Sequence, residues 1–86
     1  MTAAVSIVIP AYNEGDGIEP CLRRIADAVS MPFEVIVVVD MPEDTTIAAV
    51  EKFGASDPRV RVVVQDLGRG PANAIRYGCM QAAAPC

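Results

Sequence analysis

Four side chains in this 86-residue sequence have types and settings suited to holding a ligand: Tyr12, Glu14, Asp40 and Arg69. The ring of Tyr12 offers a face on which a nucleobase can stack, an interaction of about 1–3 kcal/mol. A carboxylate such as Asp40 can accept from the N–H edge of uracil or guanine, a charge-assisted bond of about 1.5–3 kcal/mol. Arg69 stands between Gly68 and Gly70, just ahead of a helix pattern opening with Pro71. A guanidinium in that setting, beside a helix N-terminus, can meet a diphosphate. Asp40 carries the strongest signal, because it follows five consecutive β-branched residues, Val35 to Val39, and so closes a buried strand. Each residue also has a plainer use. Tyr12 can cover its loop with the hydroxyl in water. Glu14 can be a solvated or capping carboxylate. Gly68-Arg69-Gly70 is a common turn sequence, and Asp44 reads as a helix N-cap.

Three strand patterns are available to position these groups. Val5 to Ile9 is β-branched apart from Ser6 and is stopped by Pro10. Phe33 to Val39 is unbroken and apolar after Glu34, and Val60 to Val64 is the third. Apolar runs without strict alternation are the mark of strands buried on both faces, which belong to parallel sheets covered by helices. Between them lie helix patterns. Ile18, Cys21, Leu22, Ile25 and Val29 define one apolar face, and Asp16 with Glu19 reads as a capping box at its start. Ile47, Val50 and Phe53 define a second helix, with Asp44 or Thr45 as N-cap and Gly54 as its stop. Pro71, Ala74, Ile75 and Gly78 define a third, with Pro85 beyond its end.

The order β-α-β-α-β-α predicts an α/β fold of three layers, a parallel sheet with spatial order 3-2-1. Arg59 and Arg61 give the third strand an alternation that suits an edge. The first strand is the other edge, and it is apolar and uncharged, so a further partner strand or self-association through that edge or by element exchange is expected. In open parallel sheets ligands bind outside the carboxyl ends of the strands. The segments there are 10–14, 40–44 and 65–70, which contain the four candidate residues.

Composition narrows the classes. The chain is 52% hydrophobic and 21% charged, with net charge −4, which predicts one small packed unit rather than a disordered segment. No Lys/Arg cluster is present to track a nucleic-acid backbone, and no apolar run approaches the ~20 residues of a membrane helix. The N-terminus lacks the basic region of a signal peptide. Three cysteines without C-x-x-C spacing do not make a disulfide framework, which points to a reducing, cytoplasmic compartment. Cys21 and Cys79 read as small core residues. With no histidine, a His-based triad cannot be built. Gly15-Asp16-Gly17 and Gly68-Arg69-Gly70 each begin like a dinucleotide fingerprint but lack its third glycine, and no G-K-[ST] loop occurs.

The segment Val5-Ser6-Ile7-Val8-Ile9-Pro10-Ala11-Tyr12-Asn13-Glu14 resembles the opening strand and loop of family 2 glycosyltransferases, which have the GT-A fold. Residues 34–46 are similar to that family's E-[IV]-[IV]-V-V-D-D-x-S-x-D-x-T, and Gly70 to Gly78 is similar to its G-x-[GA]-x-A-x-x-x-G helix start. Together these span nearly the whole chain, and the arrangement looks most like the polyprenyl-phosphate (dolichol-phosphate mannose synthase-like) branch. The sequence departs from the pattern at Val39, where the family has the first aspartate of its pair, and at Pro42, where it has serine.

The resemblance implies a function and a set of roles. Residues 1–86 are expected to be the N-terminal, nucleotide-binding portion of a Rossmann-like GT-A domain that transfers sugar from a UDP- or GDP-sugar to an acceptor such as a polyprenyl phosphate. Pro10, Tyr12 and Glu14 would line the base and ribose, Asp40 would contact the base with Val38 beside it, and Arg69 would fall near the diphosphate. The D-x-D element, which holds Mg2+ or Mn2+ in that family, is expected beyond the chain end, so this portion alone would not complete a transfer. A different class of reading takes Val38-Val39-Asp40-Met41-Pro42 as resembling the phosphoacceptor segment of a receiver module. A receiver also needs an acidic pair after its first strand, and Pro10-Ala11-Tyr12 stands there instead.

Overall fold

The computed structural model describes residues 3–85. Strand β1 covers Val5–Pro10, and a single 3₁₀ turn over Gly15–Ile18 runs directly into helix α1, Glu19–Ala28. There follow β2 (Phe33–Val39), α2 (Thr46–Ser56), β3 (Val60–Val64) and α3 (Pro71–Gln81). All three strands are parallel, in the order β1-β2-β3, which is the expected 3-2-1 read from the other edge.

Strand β2 lies in the middle, and its side chains alternate between two cores. Val35 and Val37 point to one face, where Ile18, Leu22, Ala49 and Val50 meet them. Ile36 and Val38 point to the other, where Ala74 of α3 packs, with Val8 and Tyr77 at its margin. Every residue from Val35 to Val39 has no exposed surface, which is why this strand is apolar at consecutive positions rather than every second one. Helices α1 and α2 therefore form one outer layer and α3 the other. Arg61 is exposed on β3, as an edge position requires.

Some local expectations are corrected. Asp16 and Glu19 form no capping box, because the 3₁₀ turn already places Asp16 inside helical backbone. Helix α1 has Ile18 at its N-cap with no side-chain cap bond, and Glu19 pairs instead with Arg23 at 2.8 Å. Cys21 is exposed and free rather than in the core, and Ile75 is 46% exposed. Cys79 is disulfide-bonded, against the expectation drawn from the cysteine count. Gly54 does not stop α2, which continues to Ser56. A Cβ at Gly54 would lie 2.8 Å from the Val60 carbonyl oxygen, so the glycine lets the helix approach β3. Gly78 does the same for α3: a Cβ there would lie 2.3 Å from Val8 Cγ1 and 3.0 Å from Val38 Cγ2.

After α3 the chain turns back beneath the sheet. The Ala84 N–H donates to Ser6 Oγ at 3.1 Å, and the Ser6 N–H donates to the Pro85 carbonyl at 2.9 Å. The free edge of β1 is thereby blunted, since Pro10 offers no N–H at its far end. Glu34 organises this corner, accepting from the Ser6 hydroxyl, the Ala83 N–H at 2.6 Å and Arg61 Nη2 at 3.4 Å. The Ser6 bond, with help from Ala83 and Arg61, outweighs partial burial and holds the Glu34 carboxyl below its ordinary value.

Candidate functional site

At the carboxyl ends of the strands, the loop after β1 and the loop before α2 are interlocked. Pairing of β1 continues past Pro10, where the Ala11 N–H donates to the Val38 carbonyl at 2.9 Å. The chain then turns sharply at Asn13, whose φ of +46° lies in the left-handed region that asparagine tolerates better than most residues. The Asn13 N–H donates to both carboxylate oxygens of Asp44 at 3.0 Å, and the Glu14 N–H donates to Thr46 Oγ1 at 2.9 Å. In return the Thr45 N–H donates to Asn13 Oδ1 at 3.2 Å. Asp44 and Thr46 are both buried, and Asp44, one residue ahead of the N-cap Thr45, also accepts from the Thr46 N–H at 2.8 Å at the start of α2. Burial would raise the Asp44 carboxyl, yet the hydrogen bonds from Thr46 and Asn13 outweigh it and hold the group below its ordinary value. Tyr12 sits between these anchors. Its flanking backbone is hydrogen-bonded while the residue stays 64% exposed, which is a useful state for a group that is to stack on a ligand.

Asp40 is organised from the opposite side. The register of β2 and β3 pairs Val39 with Val64, which sets the next residues, Asp40 and Gln65, side by side. Gln65 is buried, and its Nε2 donates to Asp40 Oδ1 at 2.7 Å and to the Gly68 carbonyl. Its Oε1 accepts from the Leu67 N–H at 2.7 Å. The second Asp40 oxygen accepts from the Gly70 N–H at 3.2 Å, at the N-cap of α3. Gly70 has φ +118° and ψ +156°, a region that is essentially glycine-only. That backbone turns its N–H back toward β2.

The two halves face one another across a cleft of about 390 Å³ lined by Pro10, Ala11, Tyr12, Glu14, Asp40, Gly70, Pro71 and Ala74. Of the residues expected at the site, Pro10, Tyr12, Glu14 and Asp40 thus share one opening. Val38 lies beneath it with no exposed surface, its side chain in the core under α3. Arg69 is exposed at the rim, with Nη2 3.2 Å from the Met41 sulfur. Residues that the sequence did not single out hold the cleft in shape: Asn13 and Thr46 on one side, Gln65 on the other. A signal for Gln65 exists, since it ends the third apolar strand as Asp40 ends the second.

The cleft joins apolar residues to an aromatic residue and two acidic ones. It can stack a planar heterocycle and accept from its N–H groups, and the exposed N-terminus of α3 borders the same space. Among the described residues no group of three His, Cys, Asp or Glu side chains is placed to hold a metal ion. No helix among them is long and apolar enough to cross a membrane.

Residues 6–86 match the family Glycosyl transferase family 2. A dolichyl-phosphate beta-glucosyltransferase of Trichomonas vaginalis is 31% identical over 83 residues, which cover 87% of this chain and 25% of that protein. The succinoglycan biosynthesis protein ExoO of Rhizobium meliloti is 36% identical over 74 residues, 86% of this chain and 21% of its own length. The glycosyltransferase AglD of Haloferax volcanii is 40% identical over 75 residues, 79% of this chain and 12% of its own length. The chain thus spans at most about a quarter of these relatives.

Proposed function

The chain belongs to glycosyl transferase family 2, and we propose that its cleft holds the nucleotide of a UDP- or GDP-sugar donor. Its three-layer sheet is the N-terminal part of that family's Rossmann-like GT-A domain. The observation that carries the donor reading is the convergence of Tyr12, Glu14 and Asp40 on one cleft at the strand ends. In this reading the Tyr12 ring stacks on the base and Asp40 accepts from its N–H edge. Pro10 and Ala11 form the floor, and Glu14 meets the ribose. Arg69 lies one residue from Gly70, which lines the cleft, and turns from Met41 toward the diphosphate. The whole protein then transfers the sugar to an acceptor. A polyprenyl phosphate fits the likeness to dolichyl-phosphate glucosyltransferases from Trichomonas vaginalis and Drosophila melanogaster.

A divalent ion, Mg2+ or Mn2+, is part of this proposal for the whole protein and would neutralise charge on the departing nucleoside diphosphate. The described residues do not gather a ligand set for it, so every role above is assigned without it. A phosphoacceptor role for Asp40 has no support in the geometry. The facing loop supplies Ala11 and Tyr12 where an acidic pair would be needed.

The test is calorimetry with UDP and GDP on the full-length protein. Asp40→Ala is expected to weaken binding by about 1.5–3 kcal/mol, and Tyr12→Ala by about 1–3 kcal/mol. Unchanged affinity for both nucleotides in both variants would remove the donor site from this cleft. Stoichiometric phosphorylation of Asp40 by acetyl phosphate would replace it with the receiver reading.

A further inference from the structure

The Asp40 carboxylate does two things at once. It faces the cleft that also holds Tyr12 and Glu14, and it anchors the loop 66–70. Gln65 reaches one of its oxygens and the Gly70 N–H reaches the other, while the same Gln65 amide also binds the Gly68 carbonyl and the Leu67 N–H. The loop is therefore closed on itself at two points through a single buried amide, and it is tied to the end of β2 through a single carboxylate. Arg69 sits between the two glycines that adopt φ +114° and +118°. Among the described residues its guanidinium contacts the Met41 sulfur, itself the neighbour of Asp40. Where the Arg69 backbone stands is thus decided by Gln65, Gly70 and Asp40.

We propose that Gln65 is a positioning residue, and that the Gln65–Asp40–Gly70 clamp couples recognition of the nucleobase to the placement of Arg69 against the diphosphate. This rests on the donor-site reading above and extends it. Each carboxylate oxygen has two lone-pair sites, so the two protein bonds leave room for a base N–H. The same bonds select the carboxylate orientation that receives it. A base that engages Asp40 favours the clamped loop, and the clamped loop presents Arg69. By reciprocity, a ligand that engages Arg69 favours the Asp40 orientation that reads the base.

The experiment compares UDP with uridine, and GDP with guanosine, by calorimetry on the full-length protein, each variant being first checked for a cooperative melt. Gln65→Met is expected to weaken the preferred diphosphate about fivefold or more, in the usual range for coupled sites, and to weaken the matching nucleoside less. The diphosphate-over-nucleoside preference should fall toward that of Arg69→Ala. The double variant Gln65→Met/Arg69→Ala is expected to bind no more than about twofold worse than the weaker single variant, because both changes remove one shared contribution. Equal losses for nucleoside and diphosphate, or additive losses in the double variant, would overturn the coupling. If Gln65→Met does not melt cooperatively, Gln65→Ala takes its place, a smaller side chain that reaches neither Asp40 nor Gly68. A wild-type protein that binds none of the four ligands sinks the donor site itself, whereas a wild-type that binds beside an unaffected Gln65 variant sinks only the clamp.

Discussion

Replacing Asp44 tests whether the loop that carries Tyr12 is held by the loop that starts α2. Asp44 is 4% exposed and accepts from the Asn13 N–H at 3.0 Å and the Thr46 N–H at 2.8 Å. In Asp44→Asn the oxygen in the Oδ1 position can still accept from both N–H groups, but the negative charge is gone and the NH2 that replaces Oδ2 meets the Asn13 N–H donor against donor. Loss of the charge and of the Oδ2 half of the Asn13 bond is expected to cost about 1–3 kcal/mol. Asp44→Ala also removes the acceptor for the first N–H of α2, adding about 0.5–2 kcal/mol. A chain of this length holds a total stability of roughly 4–13 kcal/mol, at about 0.05–0.15 kcal/mol per residue. The alanine variant therefore removes a large share of it. The asparagine variant should melt on the order of 10 °C lower, since 1 kcal/mol shifts a small domain by about 4–8 °C. Urea denaturation gives the free energy. Nucleotide titration of the Asn variant, well below its melting temperature, reports whether the freed Tyr12 loop also weakens the ligand. An unfolding free energy within about 0.5 kcal/mol of wild type would refute the reasoning, because it would show that neither the Asp44 charge nor the Oδ2 contact with the Asn13 N–H holds the loop.

Two further outcomes are expected. Gly78→Ala should gain about 1 kcal/mol from helix propensity, yet its Cβ would stand 2.3 Å from Val8 Cγ1. Overpacking at about 1–3 kcal/mol should win, so urea unfolding is expected to show net loss, and a stabilised variant would mean that α3 does not press on β1 as described. Glu34 has its carboxyl held below 4.5 by the Ser6 hydroxyl, so its contribution is present above that value and is lost as pH falls through the lowered folded value. Stability measured from pH 6 downward should decline less steeply in Glu34→Gln than in wild type, and parallel curves would show that the Ser6–Glu34–Ala83 corner contributes nothing.

The Phe33 to Val39 run required a strand covered on both faces, and with two similar runs and helix patterns between them the parallel three-layer arrangement followed. The physical reason is local: periodicity and β-branching are properties of neighbouring residues, and burial on both faces leaves a mark at every position. The end of that run also marked Asp40, and Pro10-Ala11-Tyr12-Asn13-Glu14 marked the loop opposite.

Other features depended on groups distant in the chain. Asp40 meets Gln65 because Val39 pairs with Val64, and nothing local to either residue states that register. Val38 is one residue from Asp40, yet the pleat turns its side chain into the core beneath α3. Gly54 looks like a helix stop until the Val60 carbonyl is seen beside it, and the Asp16–Glu19 spacing looks like a cap until a 3₁₀ turn takes up its first residue. Composition and spacing determined which residue types reach the carboxyl ends of the strands. Contact across 25 to 32 residues of chain decided which of them touch, because hydrogen-bond partners are chosen by distances of about 3 Å that only the packed sheet and its loops define.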